Sequence, residues 1–189
     1  MNRFVYTFLF SVLFFSAHAQ KDKVKFHSIN MVGLADGQSG GYSLFQTING
    51  IGYKKWLAGI GIGADYYPYK TYPLFFDLRR SFGKNDKGFV YGDAGYNFPG
   101  KNKPGKEVYE VYYYNSYHFT GDLYSDVGIG YKIQFIKKTS FLISSGYSYK
   151  KIKSKIGVVN PCLIRPCPED FSEYKYGYGR IVFKAGLAF

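Results

Sequence analysis

Beyond residue 20, apolar and polar residues alternate with a period of two over most of the chain. GDLYSDVGIGYKIQF, residues 121–135, is the clearest case. Val127, Ile129, Tyr131, Ile133 and Phe135 share one face, and Asp126, Gly128, Gly130, Lys132 and Gln134 share the other. A period of two is the strand signal, and a small or polar face opposite an apolar one is the pattern of a barrel whose outside is apolar. SFLISSGYSYK (140–150) sets Phe141, Ile143, Tyr147 and Tyr149 against Ser144, Gly146, Ser148 and Lys150. In LAGIGIGADYY (57–67), Ile60, Ile62, Ala64 and Tyr66 oppose three glycines and Asp65. LFFDLRRSF (74–82) opposes Phe76 and Leu78 to Asp77, Arg79 and Ser81, and FVYGDAGYNF (89–98) opposes Val90, Ala94, Tyr96 and Phe98 to Tyr91, Asp93, Gly95 and Asn97. The closing stretch, 174–189, places Arg180, Lys184 and Gly186 opposite Ile181, Phe183, Ala185, Leu187 and Phe189. Strands over 25–35 and 42–53 are less regular, because Gln46, Thr47 and Asn49 suit neither face.

These segments make eight strands, and their connections alternate in length. Tyr53 to Trp56, Gly83 to Gly88 and Ile136 to Thr139 are short; 35–41, 67–73, 99–120 and 151–171 are longer. Short turns at one end and long loops at the other, with an even strand count, define an eight-stranded antiparallel up-and-down transmembrane β-barrel with both termini at the short-turn end. KEVYEVYYYN (106–115) could itself be a strand, but a ninth spanning strand would move the C-terminus to the wrong end, so it reads as an extension outside the barrel. A soluble eight-stranded barrel would hide its apolar face inside. Here the inner faces carry Asp65, Asp77, Arg79, Asp93, Asp126, Lys132 and Arg180, expected to pair as an interior ionic network.

The N-terminal MNRFVYTFLFSVLFFSAHAQ has one basic residue, an apolar run from Phe4 to Phe15, and Ala17-His18-Ala19. This is the layout of a cleaved signal peptide, residues 1–19, leaving 20–189 as the barrel domain. The run is too short for a spanning helix, which needs roughly 20 residues. Composition agrees with strands: 21 Tyr, 18 Phe and 23 Gly favour sheet over helix. A formal charge of +12 comes largely from lysines in turns and loops, placed to meet anionic lipopolysaccharide phosphates or simply to keep the surface solvated.

PLFFDLRRSFG, FVYGDAGYNF, GDLYSDVGIGYKIQF and SFLISSGYSYK together resemble the outer-membrane protein beta-barrel domain family, the small porin-like barrels of Gram-negative bacteria. The resemblance implies residence in the cell outer membrane, among its lipids, and no assigned catalytic activity. It also implies insertion by the barrel assembly machinery, with Phe189 as the assembly signal. Leu187 departs from that signal's usual aromatic residue two positions before the end.

Candidate chemistry is sparse. His27, near the start of the first strand, reads as a solvated or interfacial imidazole. SYHFTGD (116–122) places His118 and Thr120 on one strand face and resembles the His-x-Ser pattern of barrels that deacylate lipid A. Thr stands where that Ser would be, the following Asn is missing, and Glu107 and Glu110 are near without fixed spacing. Nucleophile, base and orienting acid must all be within reach, so a non-enzymatic barrel is the first reading and a lipid A-modifying enzyme, or a narrow channel, the alternative. The Gly-x-Gly runs at 59–65 and 128–132 are followed by no helical period, so they make no phosphate cradle. No cofactor, metal site or nucleic-acid partner is expected. Cys162 and Cys167 lie in a Pro-rich loop of an oxidising compartment, where a disulfide is the simplest outcome. Mass spectrometry of unreduced protein should accordingly show both thiols oxidised; two alkylatable thiols would refute the bond.

Overall fold

The computed structural model describes residues 24–100, 115–136, 139–159 and 169–189. Eight strands run in chain order: β1 (Lys25–Gly37), β2 (Gly40–Tyr53), β3 (Trp56–Asp65), β4 (Thr71–Phe82), β5 (Gly88–Pro99), β6 (Asn115–Ile136), β7 (Thr139–Val159) and β8 (Glu169–Ala188). Each pairs antiparallel with its neighbour, and β8 pairs with β1 from Ile29↔Ala188 to Gly37↔Arg180, so the sheet closes. The signal peptide, most of 106–115 and both cysteines lie outside the described residues.

Alternation places every second side chain on each face, as the sequence pattern requires. Ile60, Ile62, Phe76, Val127, Ile129, Ile181 and Phe183 are exposed on the outer wall. Phe26, Tyr53, Trp56, Phe82, Tyr131 and Phe189 ring it near the termini, and Tyr66, Tyr72, Tyr96 and Phe98 ring the other end. Among the described residues the wall between the two rings carries no charged side chain; Arg80, which lies over the Trp56 ring at 5.3 Å, sits near the terminal end. The irregular β1–β2 pair is explained by register. Gln46 turns inward and is buried, whereas Thr47 turns outward and donates a hydrogen bond to its cross-strand neighbour Asn30 at 2.9 Å. Thr47 and Asn30 thus satisfy each other within the wall, and Asn49 is exposed on the same outer face.

Two expectations about loops are corrected. Residues 35–41 form no extended loop: β1 and β2 continue to Gly37 and Gly40, and a two-residue turn, helped by Gly40 at φ 92°, connects them. The stretches 115–120 and 151–159, expected as loop, are strand, and β8 begins at Glu169. Beyond the rim, β6, β7 and β8 stand as a three-stranded blade in which Phe119 pairs with Ser154 and Tyr174 in turn pairs with Ser154. Local polarity hid this, since the blade need not follow the apolar-out rule that applies inside the wall.

Small radius makes some inward glycines obligatory. A Cβ at Gly186, on the closing seam, would lie 2.8 Å from Met31 Cα and 2.9 Å from the Asn30 carbonyl carbon, backbone atoms that cannot move aside. Gly186→Val should therefore destabilise the closed barrel by about 3 kcal/mol, read as a lowered urea midpoint and loss of the compact, heat-modifiable band on gels.

Candidate functional site

The lumen is filled by side chains in layers. Toward the terminal end lies an apolar cluster of Ile29, Met31, Ile48, Phe75, Phe89, Tyr91, Tyr124 and Leu142; a second cluster holds Ala35, Leu44, Tyr67 and Val182. Four carboxylates (Asp65, Asp77, Asp93, Asp126) and four cations (Arg79, Lys150, Arg180, Lys184) are buried with them. Buried charges persist only when paired and hydrogen-bonded; acids and bases here match four to four, but Asp93, unlike the other three carboxylates, accepts no hydrogen bond among the described residues.

Register builds the groups. Asp77 on β4 is directly opposite Asp93 on β5, which is directly opposite Asp126 on β6, so three carboxylates stand in one row. Like charges in that arrangement repel. Lys184, reaching from β8, relieves them: its Nζ is 2.9 Å from Asp126 and 3.9 Å from Asp93, and lies 4.3 Å from the Tyr91 ring centroid. It also donates to Gln46 at 3.2 Å, and Gln46 donates to the Tyr124 hydroxyl at 2.8 Å. The Tyr91 hydroxyl donates to Asp126 at 3.0 Å. At one end of the row, Arg79 Nε donates to both Asp77 oxygens, at 3.1 and 2.9 Å.

The second group centres on Asp65. Arg180 holds it by a two-point contact, one arm at 2.8 Å, and Lys150 Nζ lies 3.3 Å away. Lys150 also donates to Thr71 and the Tyr69 carbonyl, both at 3.1 Å, while Arg180 donates to Ser148 at 3.2 Å and lies over the Tyr67 ring at 5.3 Å. Tyr67 in turn begins an aromatic lid: it meets Tyr42 and Tyr178 edge-on, and Tyr69 packs on Phe119 at 5.4 Å. On the blade Tyr174, Tyr176 and Tyr178 stack in sequence at 6.5 and 6.3 Å. Lys151, Lys155 and Lys175 are exposed there.

Six of the seven residues expected inside, Asp65, Asp77, Arg79, Asp93, Asp126 and Arg180, are buried in these groups. Lys132 is not: it lines a cavity of about 510 Å³ at the terminal mouth and joins no ion pair among the described residues. Lys150 and Lys184 occupy the cationic positions that Lys132 was expected to share. Both were visible as inward residues by alternation, but their partners lie on β3 and β6, and only the closed register brings them together. Thr120 is exposed on the blade, where its cross-strand neighbour is Lys153. His118 shares that strand opposite Lys155, and its side chain lies outside the described ones, as do Glu107 and Glu110. Asp122 accepts from the Leu123 N–H at 2.7 Å and pairs with Lys153 at 3.2 Å. Phe189 is exposed at the terminal end, its backbone bonded to that of Ser28. No cluster of metal-ligating side chains occurs among the described residues. A shallow groove on the outer wall, bordered by Val32, Phe45, Ile143 and Phe183, is not part of the lumen.

No protein-family model and no curated sequence matches the chain. Among solved structures it is similar to the solid-state NMR structure of outer membrane protein AlkL in DMPC lipid bilayers, with 10% identity and a TM-score of 0.46, over 88% of this chain and 87% of that one. It is also similar to the crystal structure of the outer membrane protein OprG from Pseudomonas aeruginosa, with 11% identity and a TM-score of 0.47, over 86% of this chain and 94% of that one.

Removing Lys184 tests the ionic row. Lys184→Met leaves Asp126 and Asp93 without their cation and should cost about 3–5 kcal/mol in urea unfolding. Adding Asp126→Asn should recover part of that loss, because the two positions are coupled.

Proposed function

We propose that the chain is a non-enzymatic outer-membrane β-barrel, closed to general diffusion, that presents its Tyr- and Lys-rich blade outside the cell in an envelope-structural or ligand-binding role. The observation that carries this reading is the balanced set of four acids and four bases buried across the lumen. An uncharged outer wall flanked by two aromatic rings is the surface a bilayer requires. With both termini at the short-turn end, that end faces the periplasm and the blade faces outward. Exposed Lys151, Lys155 and Lys175 support the reading that the blade meets the phosphates of lipopolysaccharide by charge-assisted contact. Phe189, which follows β8, would be the signal that the barrel assembly machinery engages during insertion. A disulfide between Cys162 and Cys167 would close the tip of the β7–β8 connection.

The non-enzymatic reading is supported by the surroundings of Thr120. Its cross-strand neighbour is a lysine, and the described carboxylate near it, Asp122, is already held by Lys153 and a backbone N–H. Activation of a hydroxyl nucleophile needs a base within hydrogen-bond reach and an acid to orient it. Lipid A mass profiles should be unchanged by expression of the protein. In planar bilayers the purified barrel should give none of the large, stable conductance steps of an open aqueous pore; such steps would overturn the closed-lumen reading.

A further inference from the structure

The cavity at the terminal mouth has features that ionic packing of the lumen does not explain. We infer that it binds a small amphiphilic anion, a carboxylate with a short apolar body, whose head is taken by Arg79.

Arg79 is 5% exposed and lines the floor of the cavity. Asp77 uses only its Nε. The rings of Phe89 and Tyr91, with centroids 5.5 and 5.4 Å from the guanidinium carbon, pack against the group. Its two terminal nitrogens meet Met31 Sδ at 4.0 and 3.9 Å. Thioether sulfur is a weak acceptor, and buried guanidinium N–H groups normally find oxygen. The forked end of a rigid, planar cation is thus left without an oxygen partner among the described residues, in the geometry that takes a carboxylate at two points.

Charge and shape at the mouth fit the same ligand. Among the described residues, Lys25 and Lys132 line the cavity without an ion pair and no acidic side chain lines it, while Phe189, which carries the terminal carboxylate, borders the mouth beside Lys25, Lys54, Lys55 and Lys132. Such a mouth draws anions inward. Ile29, Leu57 and Leu142 supply apolar wall, so a ligand with an apolar body gains more than a bare anion does. A volume of about 510 Å³ is within the range of small-molecule sites. The inference goes beyond the proposed function and does not depend on which side of a membrane the mouth faces, since binding is read on purified protein.

Trp56, the single tryptophan of the chain, borders the cavity, so its emission reports occupancy. Purified barrel in non-ionic detergent would be titrated with hexanoate, with 1-hexanol as the uncharged counterpart, and with inorganic phosphate as an anion lacking an apolar body. Hexanoate should change Trp56 emission saturably and bind at least about tenfold more tightly than either of the others. Arg79→Lys keeps the charge but loses the fork, and should weaken hexanoate about tenfold or more. Lys132→Gln at the mouth and Leu142→Phe in the wall, which both leave the Asp77 pair intact, should each weaken it as well. Failure to saturate, equal binding of 1-hexanol or phosphate, or unchanged affinity in Arg79→Lys would overturn the inference. Should Arg79→Lys not refold, unchanged hexanoate affinity in both other variants would overturn it.

Discussion

Closing eight strands into a barrel leaves an interior only wide enough for side chains, so any charge placed there must be cancelled there. The rest of the molecule follows from that constraint. Three aspartates fall in one row because β4, β5 and β6 are paired in one register. The row is tolerable because Lys184 and Arg79 approach it, and Asp65 at another level is answered by Arg180 and Lys150. Ion pairs of this kind add little net stability over apolar packing. They do make a slipped register costly, since a one-residue shift would turn every inward charge onto the apolar wall.

The same constraint sorts the two faces and ends of the molecule. Polarity concentrated inside leaves the wall between the aromatic rings uncharged among the described residues, and one of its polar pairs, Thr47 with Asn30, is satisfied laterally. Beyond the far rim the constraint lapses. There β6, β7 and β8 continue as a blade whose tyrosines stack on one another and whose exposed lysines need no buried partner. With the middle of the lumen filled, its two ends differ: an aromatic lid lies beneath the blade, and a cation-lined cavity opens at the terminal mouth.

Much of the fold was legible because strand alternation is a local property. Strand number, the inward face of each regular strand and the position of the short turns can all be read from neighbours in sequence. Gln46 and Thr47 were ambiguous for a physical reason: one is buried and bonded to Lys184 and Tyr124, partners distant in sequence, and the other is bonded across to β1. The length of β6, β7 and β8 was also missed. Lysine- and tyrosine-rich strand outside a lipid-facing wall lacks the face contrast that marks strand inside it.

The sequence alone determined that inward aspartates and cations would share a lumen, because parity along a strand fixes the face. Which cation meets which aspartate was decided only by closure. Lys132 and Lys184 have the same inward parity, yet stagger between strands sets Lys184 against the carboxylate row and leaves Lys132 at the mouth. Height along the barrel axis depends on the register of every strand at once, and no local pattern encodes it.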